Sequence, residues 1–194
     1  MIVLAAGRGT RMGGPKALMD VGGRAWWRVQ ERRLRQAGVT PWWVIVPGDW
    51  TTMPTGRWVA GRAGSPMFES VRAGVAAVQA ASARSAGPVP VGVFVLPVDV
   101  PAASPEVWSA LLEALTSPPG PRPIVPAFDG QTGHPLLLPW NWAVERVLPA
   151  PEGARLDEMI RESVSAIEVR DANVRANLNT PAEAAGWNES NPRG

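Results

Sequence analysis

The chain has 194 residues, 45% of them hydrophobic and 19% charged, with a formal net charge of +2. That length suits one domain with a full core, and that composition suits a soluble globular protein. There is no cysteine, which excludes disulfides and thiolate metal sites and fits a cytoplasmic protein, and the 19 basic residues form no dense run that would point to nucleic acid.

In chain order, Ile2 to Ala5 is a short continuous apolar run, the pattern of a buried parallel strand. It opens directly into a glycine-rich loop. Residues 25–37 carry Trp26, Val29 and Leu34 against Arg28, Arg32, Arg33 and Arg35, an amphipathic helix closed by Gly38. Residues 42–46 predict a second buried strand, and the Ala-rich stretch 67–83 a helix. A linker covers 83–90. The strand at 91–96 is the most strongly marked; it ends at Pro97-Val98-Asp99. Ser104-Pro105-Glu106 has the form of a helix start, with Ser as N-cap and Pro at the first helical position. Residues 124–128 and 136–138 predict strands flanking the turn Asp129-Gly130. Helices are expected at 143–148 and 154–162 and a late strand at 166–169. Thr180-Pro181-Ala182-Glu183 is a capping box opening a last helix. The expected organisation is one domain over 1–187 with a frayed tail over 188–194. The longest apolar run, 89–98, contains Pro90 and Pro97 and is too short to span a bilayer. The apolar first six residues lack the length and basic flank of a signal peptide. Alternating strands and helices imply an α/β fold around a mostly parallel sheet, in which ligands sit beyond the C-terminal strand ends.

Lys16 is the only lysine; every other basic side chain is arginine. An ammonium is a compact point charge where guanidinium is a broad fork, so one retained lysine at the end of a glycine-rich loop points to a phosphate. The loop is no Walker A, because Pro15 separates Gly14 from Lys16 and Ala17 follows. Nor does Gly7-x-Gly9 continue into a dinucleotide fingerprint, since Gly13 comes one residue too late. Glycines let backbone N–H groups converge on an anion, and Arg8, Arg11 and Lys16 supply charge for a polyphosphate. A glycine-rich turn with solvated arginines is the alternative.

The ordered run Leu4-Ala5-Ala6-Gly7-x-Gly9-x-Arg11-Met12-Gly13-x-x-Lys16 resembles the nucleotide-binding motif of the NTP-transferase superfamily. It is most similar to the members that attach CMP or GMP to molybdopterin cofactors. Met67 to Ala77, Leu96 to Pro101, Gly133-His134-Pro135, Gly153-Ala154-Arg155 and Asn177-Leu178-Asn179-Thr180-Pro181 resemble that group's later motifs, in the same order. The resemblance implies a Rossmann-like three-layer sandwich, an NTP, Mg²⁺ and a phosphorylated small-molecule acceptor such as molybdopterin, with no nucleic acid or membrane partner. It implies nucleotide contacts from Leu4, Ala5, Ala6, Gly7, Arg8, Gly9, Lys16 and Ser70, with Lys16, Arg11 and Asp99 as the catalytic set.

Asp99, one of six aspartates, follows the strongest strand. A hard cation often takes only one or two protein oxygens beside phosphates and water, so Asp99 is the expected metal ligand. A turn-capping aspartate is the other reading. Asn179 is the expected second ligand and Asn177 a substrate contact; both could also be simple turn formers. The cytidylyl type carries acids there, so Asn-Leu-Asn-Thr-Pro leans to GTP, whereas Leu-Ala-Ala-Gly and Gly-His-Pro lean to CTP, which is favoured narrowly. His134, the sole histidine, is assigned to substrate binding or structure, because an attacking phosphate is already ionised near neutral pH. Ser70 is expected at a helix start. The pairs Trp26-Trp27 and Trp42-Trp43 read as core packing, while Trp140 and Trp142 could face a pterin. A sugar phosphate as acceptor, or a nucleotide-binding protein without catalysis, remain as alternatives.

Overall fold

Residues 1–190, apart from 8, 10–12, 51–53, 55–56 and 86, are described by the structure, a computed structural model. The chain opens with β1 (Ile2–Leu4). A 3-10 turn at Lys16–Leu18 leads to a hairpin of β2 (Asp20–Val21) and β3 (Arg24–Ala25), then α1 (Trp26–Gln36). There follow β4 (Trp42–Ile45), β5 (Arg57–Ala60), α2 (Met67–Arg84), β6 (Gly92–Pro97) and α3 (Pro105–Thr116). The second half holds β7 (Ile124–Phe128), β8 (Gln131–Thr132), β9 (Leu136–Pro139) and α4 (Trp140–Trp142), which runs on as a π-helical turn over Ala143–Val147. It closes with α5 (Leu156–Ile160), β10 (Ser165–Glu168), a 3-10 turn at Ala172–Arg175 and α6 (Pro181–Ser190).

The central sheet has the order β10-β7-β9-β6-β1-β4-β5, with β8 paired to β7. β5, β4, β1 and β6 run parallel, and β9 runs antiparallel to β6 and to β7. Side chains alternate across a strand, so each strand feeds two cores. In β1, Val3 points into one cluster with Trp26, Leu34 and Leu111, while Ile2 and Leu4 point into another with Phe68, Val71 and Val147. The result is a three-layer sandwich. Helix α2 lies hard against β1: a Cβ on Gly74 would come 2.5 Å from Ile2 Cγ2. That close approach brings the N-terminus of α2 to the end of β1.

Most expected elements form where apolar period demanded them. The differences are local. β5 was not expected, because it is an edge strand with three of its four residues exposed and no buried alternation. The turn Asp129-Gly130 has positive φ at both residues (50° and 69°) and closes a tight hairpin onto β8. Trp140, which the sequence left free to face a pterin, is buried in the core shared by α2 and α5, and its backbone N–H bonds Val91 O at 3.0 Å. Trp142 packs half-buried against the same core. Trp26, Trp27 and Trp43 are core residues as expected.

Candidate active site

β1 and β6 lie side by side and parallel, with Leu4 opposite Pro97, so both chains leave the sheet at one edge. The first residues beyond that edge are still tied together: Val98 N–H donates to Leu4 O at 3.0 Å and Ala5 N–H to Val44 O at 2.8 Å. Everything polar in the site is hung from these two strand ends.

The loop after β1 begins at Ala6-Gly7 and closes where Gly14 N–H bonds Gly9 O at 3.3 Å. Gly9 has φ +58°, and a Cβ there would lie 1.9 Å from Gly14 O, so no other residue fits that turn. Arg8 and Arg11, expected to bind the triphosphate, lie outside the described residues. Pro15 then starts the 3-10 turn, whose Leu18 N–H reaches Pro15 O at 2.9 Å, and Ala17 is buried in the core. With Ala17 as anchor, Lys16 projects away from the core. Its Nζ donates to Asp99 Oδ2 and to Asn179 Oδ1, each at 2.5 Å. The side chains of Lys16 and Asp99 keep 23% and 19% of their exposure, so the pair is sheltered yet reachable from solvent.

Asp99 sits in a turn that α1 holds from behind. Gln30, fully buried on the apolar face of α1, donates from Nε2 to Val98 O (3.2 Å) and Val100 O (2.6 Å) and accepts from Ala102 N–H at 2.7 Å. Trp26 Nε1 donates to Val98 O at 2.5 Å. At the start of the following helix, Ser104 holds the N-cap position and its N–H donates to Asp171 Oδ2 at 2.7 Å. Sequence reasoning missed Gln30, although a glutamine four residues after Trp26 on an apolar stripe is a readable signal of a buried polar clamp.

Asn179 arrives from the far end of the chain, 163 residues after Lys16. Leu178 is buried, and its N–H donates to Asp99 O at 2.8 Å, which stitches residues 177–180 to the end of β6. Asn177 is exposed, and its carbonyl accepts from Asn179 N–H at 3.2 Å. The capping box forms as expected: Glu183 N–H donates to Thr180 Oγ1 (3.2 Å), and Glu183 Oε2 accepts from Thr180 N–H (2.8 Å). The same Oε2 also accepts from Asn179 N–H at 2.6 Å. These amides, and the nearby Lys16 charge, hold the Glu183 carboxyl below the usual carboxylate range.

His134 is fixed by its backbone N–H to Val174 O at 2.7 Å, and Gly133 N–H bonds Pro126 O at 2.8 Å. Burial pushes the imidazole below its ordinary pKa, and the Asp99 charge opposes that shift. Its Nδ1 is buried without a hydrogen-bond partner among the described residues.

A cavity of about 470 Å³ opens between the glycine loop, Lys16 and Asp99 on one side and the N-terminus of α2 on the other; His134, Asn177 and Asn179 are not among the residues lining it. Leu4, Ala6, Gly7, Gly9, Lys16, Ser70 and Asp99 line it, together with Gly64, Ser65 and Met67. Ala5 does not; it is buried in the core on the α1 side. Ser70 is also not the helix start. Helix α2 begins three residues earlier, at Met67, with Pro66 in the cap position, so Ser70 presents its face to the cavity from the end of the first turn. A second cavity, lined by Arg62, Glu69, Arg72 and Glu152, adjoins the first across Gly64 and Ser65. Among the described residues, no three His, Asp or Glu side chains cluster to hold a metal.

A mostly parallel sheet, a glycine loop after its first strand and a carboxylate at the end of the neighbouring strand define the class. The chain belongs to the MobA-like NTP transferase domain family, whose model matches residues 1–167. Its fold is the Rossmann-like sandwich of nucleotide-diphospho-sugar transferase type. Among solved structures it is similar to the Rv0371c homologue from Mycobacterium sp. strain JC1 (18% identity, TM-score 0.72, covering 97% of this chain and 94% of that one). Rv0371c from Mycobacterium tuberculosis H37Rv, in complex with manganese, matches at 17% identity and TM-score 0.60 over 98% and 95% of the two chains. Molybdopterin-guanine dinucleotide biosynthesis protein A from Archaeoglobus fulgidus matches at 17% identity and TM-score 0.60, covering 94% and 93%. No curated protein matches. Among the described residues, no helix is long and apolar enough to cross a membrane.

Proposed function

We propose that this chain transfers a nucleoside monophosphate from an NTP to a phosphorylated acceptor and releases pyrophosphate, with residues 1–187 acting as one cytoplasmic domain. The observation that carries the reading is the meeting of Lys16 and Asp99, 83 residues apart in sequence, at the mouth of one cavity at the strand ends.

The donor set fits a hard divalent cation. One carboxylate oxygen and one amide oxygen already converge on a single positive nitrogen, the Lys16 ammonium, which marks where positive charge is favoured. Two protein oxygens, completed by phosphates and water, suffice for Mg²⁺, and Asp99 and Asn179 would hold it. Bound there, the metal supplies charge neutralisation at the α-phosphate and the departing pyrophosphate.

The chain's own groups do the rest. The backbone around Leu4, Ala6, Gly7 and Gly9, with Ser70 from α2, cradles the nucleotide. Arg8, Arg11 and Lys16 neutralise the triphosphate, and Lys16 exchanges its two protein oxygens for phosphate oxygens when the polyphosphate arrives. An oxygen of the acceptor phosphate attacks the α-phosphorus, and the bond to the β-phosphate oxygen breaks. That oxygen needs no general base, which leaves His134 and Asn177 to orient the acceptor. CTP is put ahead of GTP narrowly, on the resemblance of Leu4-Ala5-Ala6-Gly7 and Gly133-His134-Pro135 to the cytidylyl type. Molybdopterin is placed ahead of sugar phosphates on the sequence resemblance and on the named Archaeoglobus neighbour.

One observation favours a second reading, a nucleotide binder without catalysis: Asn177 and Asn179 stand where acids would strengthen metal binding. Pyrophosphate release, assayed with each NTP, Mg²⁺ and each acceptor class, separates the two. Release with CTP and a phosphorylated pterin supports transfer. Tight CTP binding without release in any combination supports the binder.

A further inference from the structure

The capping box at α6 does more than start a helix. An ordinary box uses the third-residue carboxylate to accept from the cap residue's N–H. Here one oxygen of Glu183 accepts from two consecutive amides, Thr180 at 2.8 Å and Asn179 at 2.6 Å. The second of these is not needed for the helix. It belongs to the residue whose side-chain oxygen lies 2.5 Å from the Lys16 ammonium.

We propose that Glu183 is a positioning residue of the active site, holding the Asn179 backbone so that the Asn179 amide oxygen is presented to the bound cation. The proposal rests on the reading of Asp99 and Asn179 as the cation site. On one flank the strand end fixes this segment, through Leu178 N–H to Asp99 O at 2.8 Å. On the other, Glu183 is the grip. Without it, the Asn179 N–H would keep only its longer bond to Asn177 O at 3.2 Å, inside the same loop, and Leu178 would be the one backbone tie to the strand end. An amide oxygen brings no charge to a metal, so it contributes only when its place is held. Partners that orient a ligand in this way are typically worth about 10–100-fold in metal affinity. Glu183 is solvent-exposed. Its effect is therefore expected through hydrogen-bond geometry and not through screened charge at a distance.

The test is a Mn²⁺ titration followed by electron paramagnetic resonance, with CTP held at a fixed saturating concentration. Four variants are compared with the wild type: E183A, E183Q, T180V and D99N. E183A should weaken Mn²⁺ binding about tenfold. E183Q, whose amide oxygen can accept the same two N–H groups, should stay within about twofold. T180V removes the hydroxyl that accepts from Glu183 N–H, so it damages the helix cap but leaves the grip on Asn179, and should also stay within about twofold. Circular dichroism confirms that each variant is folded. Wild-type affinity in E183A overturns the proposal. So does an equal loss in T180V, which would make Glu183 a helix cap only, and so does failure of E183Q to rescue. D99N separates this from the underlying reading: if D99N binds Mn²⁺ as the wild type does, the cation site itself is elsewhere.

Discussion

In the proposed site Lys16 stands where a cation would bind Asp99 and Asn179, and that reading has two measurable consequences. Replacing Lys16 by Ala should slow transfer about a hundredfold, on the order of 3 kcal/mol of transition-state charge stabilisation. The same change should raise Mn²⁺ affinity of the nucleotide-free protein, because the competing ammonium is gone from Asp99 and Asn179. A rate loss under threefold, or a lower metal affinity without nucleotide, would contradict the assignment. His134 carries a pH dependence. Its folded pKa is depressed by burial from the ordinary 6.5, so the folded state resists protonation. Stability from this group is therefore complete above about pH 6.5 and declines as pH falls below it. Urea melts at pH 7.5 and 5.5 should show a larger drop for the wild type than for His134→Gln.

At the scale of elements, the site depends on clamps built into α1 and the β8–β9 connection. Gln30→Leu deletes three hydrogen bonds to residues 98–102: Val100 O loses its side-chain donor and Ala102 N–H its acceptor, while Val98 O keeps Trp26 Nε1. The expected cost is about 1–3 kcal/mol of stability, read as a lower urea midpoint, with weaker Mn²⁺ binding as the Asp99 turn loosens. Unchanged stability would show that the turn holds itself. Gly133 has no room for a side chain: a Cβ would lie 2.1 Å from Val174 O. Gly133→Ala should push away the 3-10 turn at 172–175 and, through it, Asn177 and Asn179, lowering activity more than it lowers nucleotide binding. The same scale shows what a sequence can carry. β1, α1, β6 and the start of α3 announce themselves by apolar runs, period and caps. β2, β3 and β8 are two-residue strands with no period to read, and β5 hides its edge position behind exposed side chains. The capping box of Thr180 and Glu183 was legible; its second bond to Asn179 was not, because it depends on how the 177–180 segment crosses Asp99.

Over the whole molecule, parallel β1 and β6 bring the glycine loop and Asp99 to one edge, and the closing segment before α6 is drawn onto the same edge from the far end of the chain. That convergence was legible, since the loop, the lone lysine and the post-strand aspartate each carry a chemical signature. Base and acceptor were not, because the motifs lean to CTP at Leu4-Ala5-Ala6-Gly7 and to GTP at Asn177-Leu178-Asn179, and none of them encodes an acceptor. Binding should register globally: CTP with Mg²⁺ at a hundred times its dissociation constant stabilises a folded protein by about 2.7 kcal/mol, so the thermal midpoint should rise, and the Mg²⁺-dependent part of that rise should vanish in Asp99→Ala.

The most direct measurement is anomalous diffraction from crystals grown with CTP and Mn²⁺. The account predicts a manganese peak touching the Asp99 carboxylate and the nucleotide's phosphates, with the Lys16 ammonium moved onto the polyphosphate. A metal peak away from Asp99, or CTP bound outside the cavity between the β1 loop and α2, would contradict it.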